Sequence, residues 1–149
     1  MIKSIIFDFN RTLYIPELQK IPEETIQLLK NLKNMGFSLA LISIREAKRE
    51  DIINTYNLHS IFSILKFVDE KTINIFKETL QSLKCNPDEV IVVGDRIKSE
   101  IKIANALGIK TIWYKQGKFS KELPVEKIEF PNWTIDNLSK MISLIKKIT

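Results

Sequence analysis

The sequence predicts an α/β fold, a three-layer sandwich around a mostly parallel sheet of five strands. Short apolar runs rich in β-branched residues alternate along the chain with segments whose apolar residues recur at helical spacing. Parallel strands need such helical crossovers between them. The 149 residues, 44% apolar and 28% charged, are enough for one ordinary domain with a buried core.

The predicted elements follow in order. Strands are expected at residues 4–7, 37–42, 62–65, 90–93 and 111–114. Helices are expected at residues 22–35, 46–57, 73–83 and 97–107. Pro22, followed by Glu23 and Glu24, suits the start of the first helix. Gly36 and Gly108 follow the first and fourth helices and suit their ends.

The C-terminal part completes the predicted organisation. We expect a single domain over residues 1–149, with a core at 2–115, an irregular stretch at 116–133 and a C-terminal helix at 135–148. Asp136 is the predicted cap of that helix.

The composition excludes several kinds of site. His59 and Cys85 are the only histidine and cysteine, which excludes a disulfide framework, a Cys/His zinc cluster and a c-type haem. A catalytic relay through histidine would depend on His59 alone. Any chemistry is therefore expected to use carboxylates, lysines, hydroxyls and a hard metal bound through oxygen.

The net charge of +5 is concentrated in the second half of the chain, where residues 96–121 hold seven basic residues and one acid. A basic flank favours anionic ligands, but a lysine-rich solvated surface is the simpler explanation of scattered lysines. No signal peptide opens the chain and no apolar stretch approaches 18 residues, so we expect a soluble, cytoplasmic protein without a membrane partner.

Polar residues stand at the ends of three predicted strands: Asp8, Ser43 and Asp95. Ligands of such sheets bind outside the carboxyl ends of the strands. Two carboxylates at neighbouring strand ends suit Mg²⁺. With a hydroxyl and a lysine nearby, the set suits a phosphoryl group, with Asp8 as nucleophile.

Four segments, in order, resemble the motifs of the haloacid dehalogenase-like (HAD) superfamily of phosphohydrolases, whose core is Rossmann-like. They are IIFDFNRTLY (5–14), LALIS (39–43), EKTINIFKETLQSL (70–83) and VIVVGDRIKSEIKIANALGIKTIW (90–113). The resemblance covers residues 2–115 and is strongest in the fourth segment.

The resemblance implies roles for individual residues. Asp8 would attack phosphorus and form an aspartyl phosphate, while Ser43 and Lys71 would bind the phosphate. Mg²⁺ would lie between Asp8, Asp95 and the main-chain carbonyl of Asn10. Lys66 is the alternative to Lys71. The supporting residues would be Thr12, Gly94 and Glu100.

The first motif departs from the family at two positions. Asn10 stands where the family has the aspartate that serves as general acid and base, and Arg11 replaces the following glycine. Asparagine cannot exchange a proton, and such catalysis is typically worth about 10²–10⁴-fold. Arg11 would instead clamp a substrate phosphate.

Three hypotheses remain open. The leading one is a Mg²⁺-dependent phosphohydrolase, weakened at position 10; the second is a catalytically degenerate domain that binds a phosphorylated ligand or protein partner. A nucleic-acid-associated domain ranks last, because the lysines lack an aromatic-interleaved pattern.

The motif spacings predict that no cap domain is inserted: 35 positions separate Asp8 from Ser43, and 28 separate Ser43 from Lys71. The resemblance then implies an open site for a small molecule or for an exposed phosphate on a macromolecule. A second copy of the chain is the alternative means of closing the site.

Overall fold

The computed structural model describes all residues, 1–149, and contains one parallel sheet of six strands in the order β3-β2-β1-β4-β5-β6. The strands are β1 (Ser4–Phe7), β2 (Ser38–Ile44), β3 (Ile64–Val68), β4 (Val90–Gly94), β5 (Lys110–Tyr114) and β6 (Trp133–Ile135). The helices are α1 (Glu23–Asn34), α2 (Arg49–Thr55), α3 (Ile73–Leu83), α4 (Lys102–Ala106) and α5 (Met141–Ile148).

The helices cover both faces of the sheet, so the predicted three layers are confirmed. Because side chains alternate along a strand, Ile5 and Phe7 of β1 pack on one face and Ile6 on the other. Buried residues of α1, α2 and α5 join the first cluster, and those of α3 and α4 join the second. No helix combines the length and the apolar character that crossing a bilayer requires.

The strand order reverses at β1, which lies between β2 and β4. The connection after β1 runs to one side of the sheet, and β4 then adds on the other side. In parallel sheets this reversal opens a crevice at the carboxyl ends of the two strands. The backbone N–H of Asp8, just after β1, donates to the carbonyl of Val93 in β4 (3.0 Å), so the two strand ends lie side by side.

The predicted strand count was wrong, because β6 extends the sheet beyond β5. It has three residues and lies at the boundary of the stretch predicted to be irregular, so no alternating pattern marks it. The side chain of Asn132 supports the pairing by accepting from the backbone N–H of Thr111 (2.9 Å).

The C-terminal helix begins later than predicted, at Met141 rather than at residue 135. Asp136 does not cap it and instead pairs with Lys140 (2.6 Å). Asn137 accepts from the backbone N–H of Ser139 (2.9 Å) and starts a 3₁₀ turn before the helix. Turn chemistry at this asparagine therefore delays the helix.

Several boundaries also differ in the middle of the chain. Strand β2 continues two residues beyond the predicted end, β3 starts two residues later than predicted, and α2 is shorter at both ends. The strand ends are set by pairing, since Ser43 lies opposite Phe67 in the parallel ladder of β2 and β3.

The segment between β5 and β6 is held down by a buried carboxylate, Glu129. Its side chain pairs with Lys98 (2.6 Å) and accepts from the backbone N–H groups of Val125 (2.8 Å) and Glu126 (3.2 Å). The Lys98 hydrogen bond and these backbone donors lower the pKa of Glu129 to about 2. The segment is thus tied to the turn that precedes α4.

Candidate active site

Asp8 lies at the carboxyl end of β1 and is buried. Thr12 donates a hydrogen bond to its Oδ2 (3.1 Å), and the ammonium of Lys71 contacts its Oδ1. Lys71 comes from the connection between β3 and α3, so separate segments of the chain meet at this carboxylate only in the folded protein.

Lys71 is enclosed by carboxylates. Its Nζ lies against Asp8 and 3.6 Å from Oε2 of Glu100, with only 6% of the side chain exposed. Burial by itself would lower the pKa of Lys71, but Asp8 and Glu100 outweigh burial and raise that pKa. The lysine is therefore a fixed positive charge at neutral pH.

Asp95 and Glu100 complete a cluster of three buried carboxylates with Asp8. The candidate ligand oxygens all lie within 4.8 Å of one another. Oδ2 of Asp95 and Oε2 of Glu100 are buried without a hydrogen-bond partner. Three convergent carboxylates with unpartnered oxygens are the donor set that a hard divalent cation requires, so these residues fit Mg²⁺.

The crowding of negative charge changes the protonation of this cluster. Burial, together with the neighbouring Asp8, raises the pKa of Asp95 to about 9. Burial and Asp8 also raise the pKa of Glu100. Both shifts reflect the cost of ionising three adjacent carboxylates opposite one lysine, a cost that a bound cation would remove.

The segment after β4 brings Glu100 back over the strand. A wide π-helical turn over Ile97–Ile101 precedes α4, and Ser99 within it departs from helical dihedrals (φ −122°, ψ −106°). Oε1 of Glu100 accepts from the backbone N–H of Arg96 (3.2 Å). This turn points the carboxylate into the cluster.

Gly94 is required by the close approach of Glu100, because a Cβ at position 94 would collide with that side chain. We expect Gly94→Ala to displace the Glu100 carboxylate and to destabilise the fold by about 1–3 kcal/mol. Urea unfolding and Mg²⁺ titration measure the two effects. Gly36→Ala is the control, since no atom lies within 4 Å of a Cβ there and only its positive φ is at issue; equal Mg²⁺ affinity in both variants would contradict the prediction.

Trp113 has a role that the sequence did not indicate. Its Nε1 donates to the backbone carbonyl of Asp95 (2.9 Å) in a buried position on β5. An apolar strand residue predicts packing alone; the hydrogen bond arises because β5 lies beside β4. Trp113 therefore fixes the backbone that carries Asp95.

The side chain of Asn10 belongs to a network that the sequence also did not indicate. Its Nδ2 donates to Oε1 of Glu46 (2.9 Å), and its Oδ1 accepts from Nη2 of Arg49 (2.7 Å). Arg49 is buried at the start of α2 and also pairs with Glu46 (2.9 Å). An arginine three residues after a glutamate on a predicted helix was the available signal, but nothing pointed it towards Asn10.

Arg11 adopts a left-handed backbone conformation (φ 61°), which explains why glycine suits this position in related motifs. Its guanidinium pairs with Glu17 (2.5 Å) at the edge of the crevice. The structure therefore shows Arg11 engaged by a carboxylate; its proposed contact with a substrate phosphate stays a prediction.

Replacing Arg11 by glycine is expected to stabilise the fold by about 1 kcal/mol, because the left-handed conformation costs an L-residue about that much and exposed ion pairs contribute little. Chemical denaturation of Arg11→Gly and of Glu17→Gln, which removes only the ion pair, separates the two effects. A loss of stability in Arg11→Gly larger than in Glu17→Gln would contradict the prediction.

The structure does not bring Ser43 and Lys66 into the crevice. Ser43 is buried inside β2, where its hydroxyl donates to the carbonyl of Ile44 (3.2 Å). Lys66 lies in β3 and pairs with Glu78 of α3 (3.4 Å). Of the two candidate lysines, Lys71 is therefore the one beside Asp8.

The crevice is a cavity of about 620 Å³, open to solvent on one side. Its lining includes the carboxylate cluster, Lys71 and Asn10, with basic residues on its rim: Arg11, Arg96, Lys98 and Lys118. Residues 73–141 match the family model described as HAD-hydrolase-like. The chain belongs to the haloacid dehalogenase-like superfamily.

Similar proteins agree with this assignment. The chain is 29% identical over 136 residues to a glyceraldehyde 3-phosphate phosphatase of Pyrococcus furiosus, covering 87% of this chain and 56% of that protein. It is 24% identical over 144 residues to a mitochondrial phosphatidylglycerophosphatase of Saccharomyces cerevisiae, covering 86% and 75%. The chain thus spans just over half the length of the archaeal relatives it matches.

Solved structures show the same HAD fold. A HAD phosphatase from Thermococcus onnurineus superposes with a TM-score of 0.78 at 13% identity, covering 97% of this chain and 98% of that one. A protein from Listeria monocytogenes superposes with a TM-score of 0.77 at 20% identity, covering 98% and 99%.

Proposed function

We propose that this HAD protein is a Mg²⁺-dependent phosphohydrolase that acts through an aspartyl phosphate on Asp8. The observation that carries the proposal is the ion-paired Asp8 carboxylate beside Asp95 and Glu100, each of which has one buried oxygen without a hydrogen-bond partner. Two relatives are named as phosphatases, and this chain shares their superfamily.

The cluster assigns a task to each charged group. Asp95, Asp8 and the main-chain carbonyl of Asn10 would hold Mg²⁺, with Glu100 as the third carboxylate of the cluster. When bound, Mg²⁺ would neutralise the charge on the phosphoryl oxygens. Lys71 holds Asp8 in place and adds a positive charge beside the phosphoryl group.

Asp8 is the nucleophile of the proposed attack. Its Oδ2 is oriented by Thr12 and its Oδ1 by Lys71, so the carboxylate is fixed at the base of the cavity. Asp8 would form a bond to phosphorus while the ester bond breaks, and water would then release phosphate and restore the carboxylate. Ser43 is proposed to bind a phosphoryl oxygen after its hydroxyl turns from the carbonyl of Ile44.

The open cavity favours a phosphate that is accessible from outside. The connections that lead to the site are short, with turns at residues 8–22 and one helix between β2 and β3. We propose a site without a cap domain that takes small phosphorylated molecules or exposed phosphates, within a single domain spanning residues 1–149.

The test is Mg²⁺-dependent release of phosphate from 4-nitrophenyl phosphate by the full chain. Asp8→Asn keeps the size of the side chain and is expected to reduce release by at least about 10³-fold, because the nucleophile is lost. Asp88→Asn is the control, since Asp88 is an exposed acid remote from the cavity.

Equal activity in the Asp8 variant and the parent would contradict the proposal. Binding of phosphate analogues with Mg²⁺ but no turnover of any ester or anhydride would favour the alternative, a degenerate domain that binds a phosphorylated ligand. Salt-sensitive binding of DNA or RNA without phosphate release would favour the nucleic-acid hypothesis.

A further inference from the structure

The amide of Asn10 cannot protonate a leaving group, and both of its polar atoms already have partners. Oδ1 accepts from Arg49 at 2.7 Å, and Nδ2 donates to Glu46 at 2.9 Å. An amide has no ionisable proton at any ordinary pH. A leaving oxygen near Asn10 could receive a hydrogen bond from it but no proton.

The network around Asn10 is fixed in place. The guanidinium of Arg49 lies over the rings of Phe9 (4.8 Å to the centroid) and Tyr14 (5.4 Å), and only 6% of its side chain is exposed. The two rings stack on each other at 5.1 Å. A buried arginine held on two aromatic faces keeps the Asn10 amide in one orientation.

Glu46 is the carboxylate that contacts Asn10, and both of its oxygens have partners in the same network. Its Oε2 pairs with Arg49 at 2.9 Å while its Oε1 accepts from Asn10. A carboxylate that accepts from two donors, one of them a guanidinium, serves as an anion and has no proton to give. Glu46 therefore balances the charge of Arg49.

Two lysines that line the cavity are also held in ion pairs. Lys71 is held by Asp8 and Glu100, and Lys98 by Glu129. His59, the only histidine, is not among the residues that line the cavity. The crevice thus presents a nucleophile, a cation site formed with Asp95 and Glu100, and positive charge, while the side chains that contact Asn10 are a guanidinium and a carboxylate that accepts hydrogen bonds.

We propose that this site selects phosphoryl donors whose leaving group departs as a stable anion, acyl phosphates above all. The inference rests on the proposed function and names its substrate class. Asp8 bonds to phosphorus and the P–O bond to the acyl oxygen breaks, with its electron pair leaving on a carboxylate. Water then attacks phosphorus, the bond to Asp8 breaks, and the proton of water passes to solvent.

This substrate class differs from that of the archaeal relatives. The substrate in their name, glyceraldehyde 3-phosphate, is an alkyl phosphate ester, whose alkoxide leaves poorly without a proton. The proposed preference therefore distinguishes this chain from relatives of the same superfamily.

The experiment compares acetyl phosphate, 4-nitrophenyl phosphate, phenyl phosphate and glycerol 3-phosphate with the full chain and Mg²⁺. We expect kcat/KM to fall steeply in that order, with acetyl phosphate preferred over glycerol 3-phosphate by at least about 10²-fold. In Asn10→Asp, which restores a proton-exchanging group, the ratio of glycerol 3-phosphate to acetyl phosphate turnover should rise by at least about 10²-fold.

Two results would overturn the proposal. One is a parent chain that cleaves glycerol 3-phosphate within about tenfold of acetyl phosphate. The other is loss of glycerol 3-phosphate cleavage in Glu46→Gln, which would make Glu46 the acid. Failure of all four compounds would instead overturn the phosphohydrolase function itself.

A second variant tests the proposal even if Asn10→Asp does not fold because its new carboxylate lies beside Glu46. Asn10→Asp combined with Glu46→Gln restores the original number of carboxylates around Arg49. The same rise in the ratio is expected from it, and an unchanged ratio in the folded double variant would overturn the proposal.

Discussion

Lys71→Met is expected to abolish phosphate release and to lower the free energy of unfolding by about 3 kcal/mol at neutral pH. The substitution leaves three buried carboxylates without their cation, and removing one partner of a buried ionic cluster typically costs about 3–5 kcal/mol. Urea unfolding without added metal measures this loss.

The pH dependence of the loss distinguishes charge from packing. Because Asp95 holds its proton up to about pH 9, the destabilisation should be larger at about pH 9, where Asp95 begins to ionise, than at about pH 6, where it stays protonated. Lys66→Met is the matched control, since Lys66 forms a half-exposed pair with Glu78. Equal losses in the two variants would contradict a central role for Lys71.

Mg²⁺ is expected to raise the free energy of unfolding by about 2.7 kcal/mol when present at about 100 times its dissociation constant. The size of the effect depends on pH through Asp95. Its pKa is raised to about 9 in the folded chain, so between about pH 5 and pH 9 the folded protein holds a proton that the unfolded chain has lost. The stability of the metal-free protein should therefore fall as the pH rises through this range.

Mg²⁺ must displace the protons of the cluster, so its affinity should increase from about pH 6 to about pH 9. Thermal unfolding and isothermal titration calorimetry in buffers of different ionisation enthalpy measure the stabilisation and the released protons. Asp95→Asn should lose the stabilisation by Mg²⁺ and the release of protons, whereas Asp88→Asn should keep these two effects. Mg²⁺ affinity that does not change with pH would contradict the assignment of Asp95 to the metal site.

The sequence predicted the layers and most of the sheet because these depend on local patterns. Alternating and continuous apolar runs mark β1, β4 and β5, and helical spacing marks α1 and α3. β6 was missed because three residues carry no period, and it forms only by pairing with β5.

The residues of the candidate site likewise divide into those that local sequence patterns indicate and those that they do not. Asp8 and Asp95 were found because a carboxylate directly after an apolar strand is costly unless it has a function or a partner. By itself the sequence determined the strand-end carboxylates, the missing aspartate at Asn10 and the superfamily that these motifs resemble.

Only the tertiary structure decided which side chains meet at these positions. It placed Lys71 rather than Lys66 on Asp8, joined Glu100 to the cluster, and held Asn10 between Glu46 and Arg49. The physical reason is that these contacts join residues 36 to 92 positions apart. Such contacts follow from the order and register of the strands, which local sequence patterns do not specify.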